Sequence, residues 1–80
     1  MEIKVLGTGC PRCKALEQVT RQAVQDLGVN ANVSKVEDIE GIVNFGVMRT
    51  PALVINDRVV LSGRVPDAKE LKDIITKNID

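Results

Sequence analysis

The sequence predicts an α/β domain, a mixed four-stranded sheet covered by three helices in the order βαβαββα, and three observations carry that expectation. Apolar residues make up 44% of the chain and are mostly Val, Ile, Leu and Ala, the composition of a sheet with helices packed on it. Short alternating or continuous apolar runs interleave with stretches whose apolar residues recur every three or four positions. Gly, Pro and Asn-Asp punctuation falls at short intervals, without a linker, an internal repeat or a low-complexity segment. A chain of 80 residues buries only about two thirds of its unfolded surface, so one domain spanning 1–80 is expected.

Glu2 to Leu6 places Ile3 and Val5 on one face and runs into Gly7-Thr8-Gly9, which reads as a first strand ending in a flexible turn. From Pro11, the positions Cys13, Leu16, Val19, Ala23, Val24 and Leu27 follow helical spacing, with Pro11 suited to the first helical position and Gly28 to the C-terminal cap. Val29 to Val36 alternates as a second strand, parallel to the first because a long helix joins them. Asp38 caps a short helix whose inward face is Ile39, Ile42 and Val43 and which Gly46 ends. Ala52–Ile55 and Val59–Leu61 are apolar runs separated by Asn56-Asp57-Arg58, a hairpin signal, so these strands are expected to be antiparallel neighbours. Pro66 opens a last helix, with Asp67 and Glu70 at its positive end, Leu71, Ile74 and Ile75 inward, and Lys77 at its negative end.

Eleven basic and eleven acidic side chains cancel and are scattered, so charge directs the chain toward neither nucleic acid nor a membrane surface. One Phe and no Trp or Tyr leave no platform for stacking bases. Met1-Glu2-Ile3-Lys4-Val5-Leu6 lacks the long apolar core of a signal peptide, and no run reaches membrane-spanning length, so the cytoplasm is expected; the chain is also expected to be a monomer. The absence of histidine removes Cys-His and Ser-His catalysis and every imidazole-dependent metal site. Cysteine chemistry is what remains.

Cys10-Pro11-Arg12-Cys13 sits where a strand and Gly-rich turn meet a helix N-terminus, and there unpaired N–H groups and the helix dipole stabilise a thiolate. Cys10, ahead of the first turn, is the exposed thiol and the expected nucleophile. Cys13 shares the stripe of Leu16 and is the expected resolving thiol. Two intervening residues let one helical turn bring the sulfurs together in either redox state, and Pro11 stiffens that turn. Arg12 and Lys14 either offset an anionic sulfur or are simply solvated. As a structural disulfide the pair closes so short a loop that it contributes only roughly 2 kcal/mol. As a zinc site it supplies two of four ligands. A soft-metal carrier is the stronger alternative, because two thiolates suffice for Cu(I)-like ions. Pro51 and the element order count against it. No cofactor is expected beyond a redox-active Cys10–Cys13 disulfide, and no metal.

Pro51 precedes an apolar strand, and on the residues alone it is an ordinary trans loop proline, since only about 5–6% of such bonds are cis. The whole pattern, however, resembles the thioredoxin superfamily: strand, CPxC at a helix start, strand and helix, then Thr50-Pro51, a hairpin, Gly63 and a closing helix. More narrowly, Gly9-Cys10-Pro11-Arg12-Cys13, Thr50-Pro51-Ala52-Leu53-Val54-Ile55-Asn56 and Ser62-Gly63-Arg64-Val65-Pro66 resemble the small prokaryotic glutaredoxin-like redox-active disulfide proteins. The resemblance implies the thioredoxin fold and thiol-disulfide oxidoreductase activity on disulfide-containing proteins, with a reductase or glutathione as electron donor. It also implies a cis Pro51 beside the redox pair, with Thr50 offering backbone groups to an extended peptide. Gly9, Arg49, Thr50, Gly63 and Arg64 are the positions where the family would contact a partner or glutathione. Two departures stand out. Gly9 replaces the Trp that precedes the first Cys in thioredoxins, and Lys4 occupies the place of their buried acid, either serving in its stead or facing solvent, with solvent preferred.

Overall fold

The computed structural model describes residues 1–78, and its elements follow the expected order: β1 (Glu2–Leu6), α1 (Pro11–Leu27), β2 (Asn32–Val36), α2 (Ile39–Asn44), β3 (Ala52–Ile55), β4 (Arg58–Ser62) and α3 (Ala68–Lys77). The last two residues of the expected 1–80 domain lie outside the described residues. The sheet runs β2-β1-β3-β4, with β1 parallel to β2 and antiparallel to β3, and β3 antiparallel to β4. This is the thioredoxin fold that the sequence resemblance implies.

Alternation along β1 sorts the core onto the two sheet faces. Ile3 and Val5 face α1 and α3 and pack with Leu16, Ala23, Leu53, Ile55, Leu61, Leu71 and Ile75. Leu6 faces α2 and packs with Ile42, Val47, Ala52 and Val54. β3 contributes to both layers, which is why its four residues form a continuous apolar run, buried throughout. Gly28, at φ +67°, terminates α1 in the left-handed region, and its N–H donates to the carbonyls of Val24 and Gln25.

Three boundaries and the buried face of α2 differ from the sequence reading. β2 starts at Asn32 rather than Val29, because its partner among the described residues, β1, offers its first acceptor at the Met1 carbonyl. Val29 and Ala31 still pack against the core as part of the connection. Pro66 precedes α3 rather than opening it: Asp67 accepts the Glu70 N–H at 2.8 Å and is the N-cap, so the helix begins at Ala68. In α2 only Ile42 is buried, while Ile39 and Val43 are 70% and 60% exposed, because six residues present a single position to the sheet. The hairpin turn is two residues long, Asn56 and Asp57 both at positive φ, so Arg58 belongs to β4.

Leu71→Ala should destabilise the protein by about 2–5 kcal/mol, since it empties a fully buried position between α3 and the sheet. Denaturant unfolding of the reduced protein checks this: the midpoint should fall with the slope unchanged.

Candidate active site

β1 ends at Leu6, and its pairing brings three other segments to the same end of the sheet. Leu6 is level with Val36 of β2 and Ala52 of β3, and Ala52 is level with Ser62 of β4. The Cys10 turn, Glu37, Pro51 and Gly63 therefore emerge together, although up to some fifty positions separate them in the chain. The Gly63 N–H donates to the Pro51 carbonyl at 2.8 Å, and the Arg12 guanidinium donates to the Gly63 carbonyl at 3.1 Å. The Arg49 side chain lies against Gly63, where an added Cβ would come within 3.3 Å of it. Through these contacts the structure joins Arg12, Arg49, Pro51 and Gly63 into one surface with the cysteine turn. The Thr50–Pro51 peptide bond is cis, as the resemblance implies, and Pro51 is buried while Thr50 is exposed.

Cys10 is the N-cap of α1 and Pro11 the first helical residue. The Cys13 N–H donates to Cys10 Sγ at 3.3 Å and the Lys14 N–H to the Cys10 carbonyl at 3.0 Å, so the sulfur sits among the helix's unpaired donors. Cys10 is half-exposed and Cys13 buried, both as free thiols. Hydrogen bonding from the Cys13 side chain, then from its backbone N–H, lowers the Cys10 pKa from that of an ordinary cysteine. Burial raises that of Cys13, and its hydrogen bond to Cys10 raises it further. The arrangement sets a more acidic, accessible sulfur beside a less acidic, sheltered one.

A family model described as a thioredoxin domain matches residues 1–76. The chain belongs to the thioredoxin family. It is 34% identical to a thioredoxin of Methanothermobacter thermautotrophicus over 95% of this chain and 99% of that protein. It is 35% identical to a thioredoxin of Methanocaldococcus jannaschii over 89% of this chain and 81% of the other, and 38% identical to a probable thioredoxin of Archaeoglobus fulgidus over 85% and 77%. Membership makes this chain a thiol-disulfide oxidoreductase with Cys10 and Cys13 as its CxxC pair.

Several positions take on definite surroundings in this thioredoxin-family chain. Lys4 leans away from the cysteines: its Nζ lies 5.2 Å from the Phe45 ring centroid and 3.9 Å from Asp57, at the opposite end of the sheet. Arg64 is engaged bidentately by Glu70, whereas Arg49 is exposed beside Gly63. Gly9 takes φ +88° next to Glu37. Among the described residues no cluster of three or more His, Cys, Asp or Glu is placed to share a metal ion.

Sequence reasoning missed two features of the site. Gly7 is one: a Cβ there would lie 2.3 Å from Cys13 Sγ, so the missing side chain makes room for the buried thiol. The other is a small cleft of about 40 Å³ lined by Val5, Gly7, Gly9, Cys13 and the charged residues Lys14, Glu17, Lys35 and Glu37. The spacing of Glu17, one helical turn after Cys13, was the available signal.

Two measurements follow. Gly7→Ala should cost about 1–3 kcal/mol through overpacking and less in a Cys13→Ala background, because the sulfur at 2.3 Å is then gone and only the Cβ contact at 2.9 Å remains; equal costs in both backgrounds would mean that the sulfur is not the source of the strain. In reduced protein, iodoacetamide should modify Cys10 at a lower pH than an ordinary cysteine, since its thiolate persists as pH falls, whereas Cys13 should resist until a higher pH. Peptide mapping of the alkylated residues against pH distinguishes the two.

Proposed function

We propose that the chain reduces disulfides in protein partners, with Cys10 as attacking thiolate and Cys13 as resolving thiol. The observation that carries this reading is the asymmetry of the pair. Cys10 is accessible and receives the Cys13 N–H, while Cys13 is buried behind it against Gly7. In the first step the Cys10 thiolate attacks a partner sulfur, and the partner's other sulfur leaves with the bonding electrons. In the second, Cys13 displaces the partner from Cys10, leaving a Cys10–Cys13 disulfide and a fully reduced partner. A reductase or glutathione then restores the dithiol, so the cofactor is the pair itself.

Pro11 sets the helix start, Arg12 tethers the turn to Gly63, and Pro51 immediately precedes β3 at the end of the sheet from which the cysteine turn emerges. Gly9, Arg49, Thr50 and Gly63 form the rim that an extended partner would meet. A protein disulfide is favoured over glutathione because Glu70 already engages Arg64 and the Gly63 carbonyl already takes Arg12, which leaves fewer cations to meet the glutathione carboxylates. No helix among the described residues is long and apolar enough to cross a membrane. A dithiol that must be re-reduced in every cycle belongs where thiols are kept reduced, and the cytoplasm is the compartment proposed.

Cys13→Ser should accumulate mixed disulfides on Cys10, recoverable after acid quenching and identified by mass spectrometry. Cys10→Ser should yield none and should lose disulfide turnover to background. Full activity of the Cys10→Ser variant would end the proposal.

A further inference from the structure

The resolving step needs a proton acceptor. Cys13 must become a thiolate to displace the partner, yet it is 5% exposed, and Lys4, at the place of the family's usual acid, points toward Phe45 and Asp57 instead. The cleft at Cys13 offers another carboxylate. Glu17 lies one turn further along α1, its side chain only 18% exposed, and it lines the cleft together with Cys13. Its Oε2 accepts from Arg21 Nε at 3.1 Å, which fixes the group's orientation. Its Oε1 has only a 3.7 Å contact with Lys35 Nζ, too long for a hydrogen bond, and so keeps free lone pairs. An ordered water needs roughly 10–15 Å³ and polar partners, and the cleft of about 40 Å³ provides both.

We propose that Glu17 is the proton acceptor for Cys13 in the resolving step, reached through the cleft by way of a water. The proton passes from Cys13 Sγ to water as water gives one to the Glu17 carboxylate. The Cys13 sulfur then forms its bond to Cys10 Sγ, and the bond between Cys10 and the partner sulfur breaks. The partner leaves as a thiolate with the electron pair, and the proton on Glu17 passes to it or to solvent. The two cysteines end oxidised by two electrons and the partner reduced by two. This inference rests on the assignment of Cys10 and Cys13 made above.

The charged groups around Glu17 come from two elements. α1 contributes Lys14 and Arg21, and β2 with the residue after it contributes Lys35 and Glu37, Lys35 bridging the two acids at 3.7 and 3.9 Å. β1 presents only Val5 and Gly7 to the cleft. The ion pair between α3 and α1, Lys72 with Asp26, lies at the far end of the helix.

Stopped-flow reaction of the reduced protein with excess dithiodipyridine separates the two steps, because each cysteine releases one thiopyridone. The first phase is attack by Cys10; the second is displacement by Cys13, with a leaving group that requires no proton. In wild type the second phase should be level across the neutral range. In Glu17→Gln it should slow by about 100-fold near pH 7, the lower end of what a positioned general base contributes, and climb with pH as hydroxide takes over. The first phase should be unchanged, and Glu17→Asp should recover part of the second. A second phase as fast as wild type in Glu17→Gln, or one slowed by the same factor at every pH, would overturn the inference. Failure of the underlying assignment looks different: the first phase would then survive in Cys10→Ser.

Discussion

Strand β1 is hydrogen-bonded along both edges, parallel to β2 and antiparallel to β3, and the chemistry of the chain gathers where it stops. Extending the pairing by one more bond, from the Gly7 N–H to the Val36 carbonyl at 3.0 Å, carries the backbone to within van der Waals reach of Cys13. A side chain at position 7 and a sulfur at position 13 cannot both occupy that space. The absence of one permits the other, and with Cys13 seated there its backbone N–H is directed at Cys10 Sγ. The difference between the two sulfurs in exposure and acidity follows from this single close approach.

The same register explains why residues remote in sequence share one surface. An antiparallel hairpin beside a parallel βαβ unit returns β3 and β4 so that Pro51 precedes one strand and Gly63 follows the other at the same end of the sheet. Arg12 adds a bond from α1 to the Gly63 carbonyl, so the cysteine turn and the cis-proline segment are tied through Gly63 rather than placed independently. The surface around Cys10 is thus built from three connections, two of them joined by the Gly63 N–H to the Pro51 carbonyl.

Charge acts on the opposite side of the cysteine turn. Glu17, Lys35 and Glu37 form a chain of partly exposed contacts whose contribution to stability is small, since such pairs are typically worth well under 1 kcal/mol. Their position at the mouth of the Cys13 cleft gives them a different significance. A sheltered thiol exchanges protons only through what borders it, and the cleft beside Cys13 is bordered by Glu17, one helical turn away, together with Lys14, Lys35 and Glu37.

The element order, the parallel and antiparallel pairings, the CxxC pair at a helix start and the contrast in exposure between its two sulfurs were all legible in the sequence, because period-two and helical spacing, Pro and Gly punctuation and N-cap chemistry are local properties. Local signals also misled at the edges. Pro66 is compatible with a first helical turn, but the Asp67 carboxylate takes the capping bond; Val29 alternates like a strand, but no partner strand extends to meet it. Ile39 and Val43 have helical spacing, yet a helix of six residues has only one position to bury. The cis geometry at Pro51 was not written in the residues themselves and came only through resemblance to a family. What tertiary structure alone decided was which groups meet: the Arg12 guanidinium with the Gly63 carbonyl, the Cys13 side chain with the Gly7 backbone, Lys4 with Phe45 and Asp57, Glu17 with the Cys13 cleft. Those meetings depend on sheet register and on the rotation of α1 over β1 and β2, and no pattern confined to neighbouring residues encodes either.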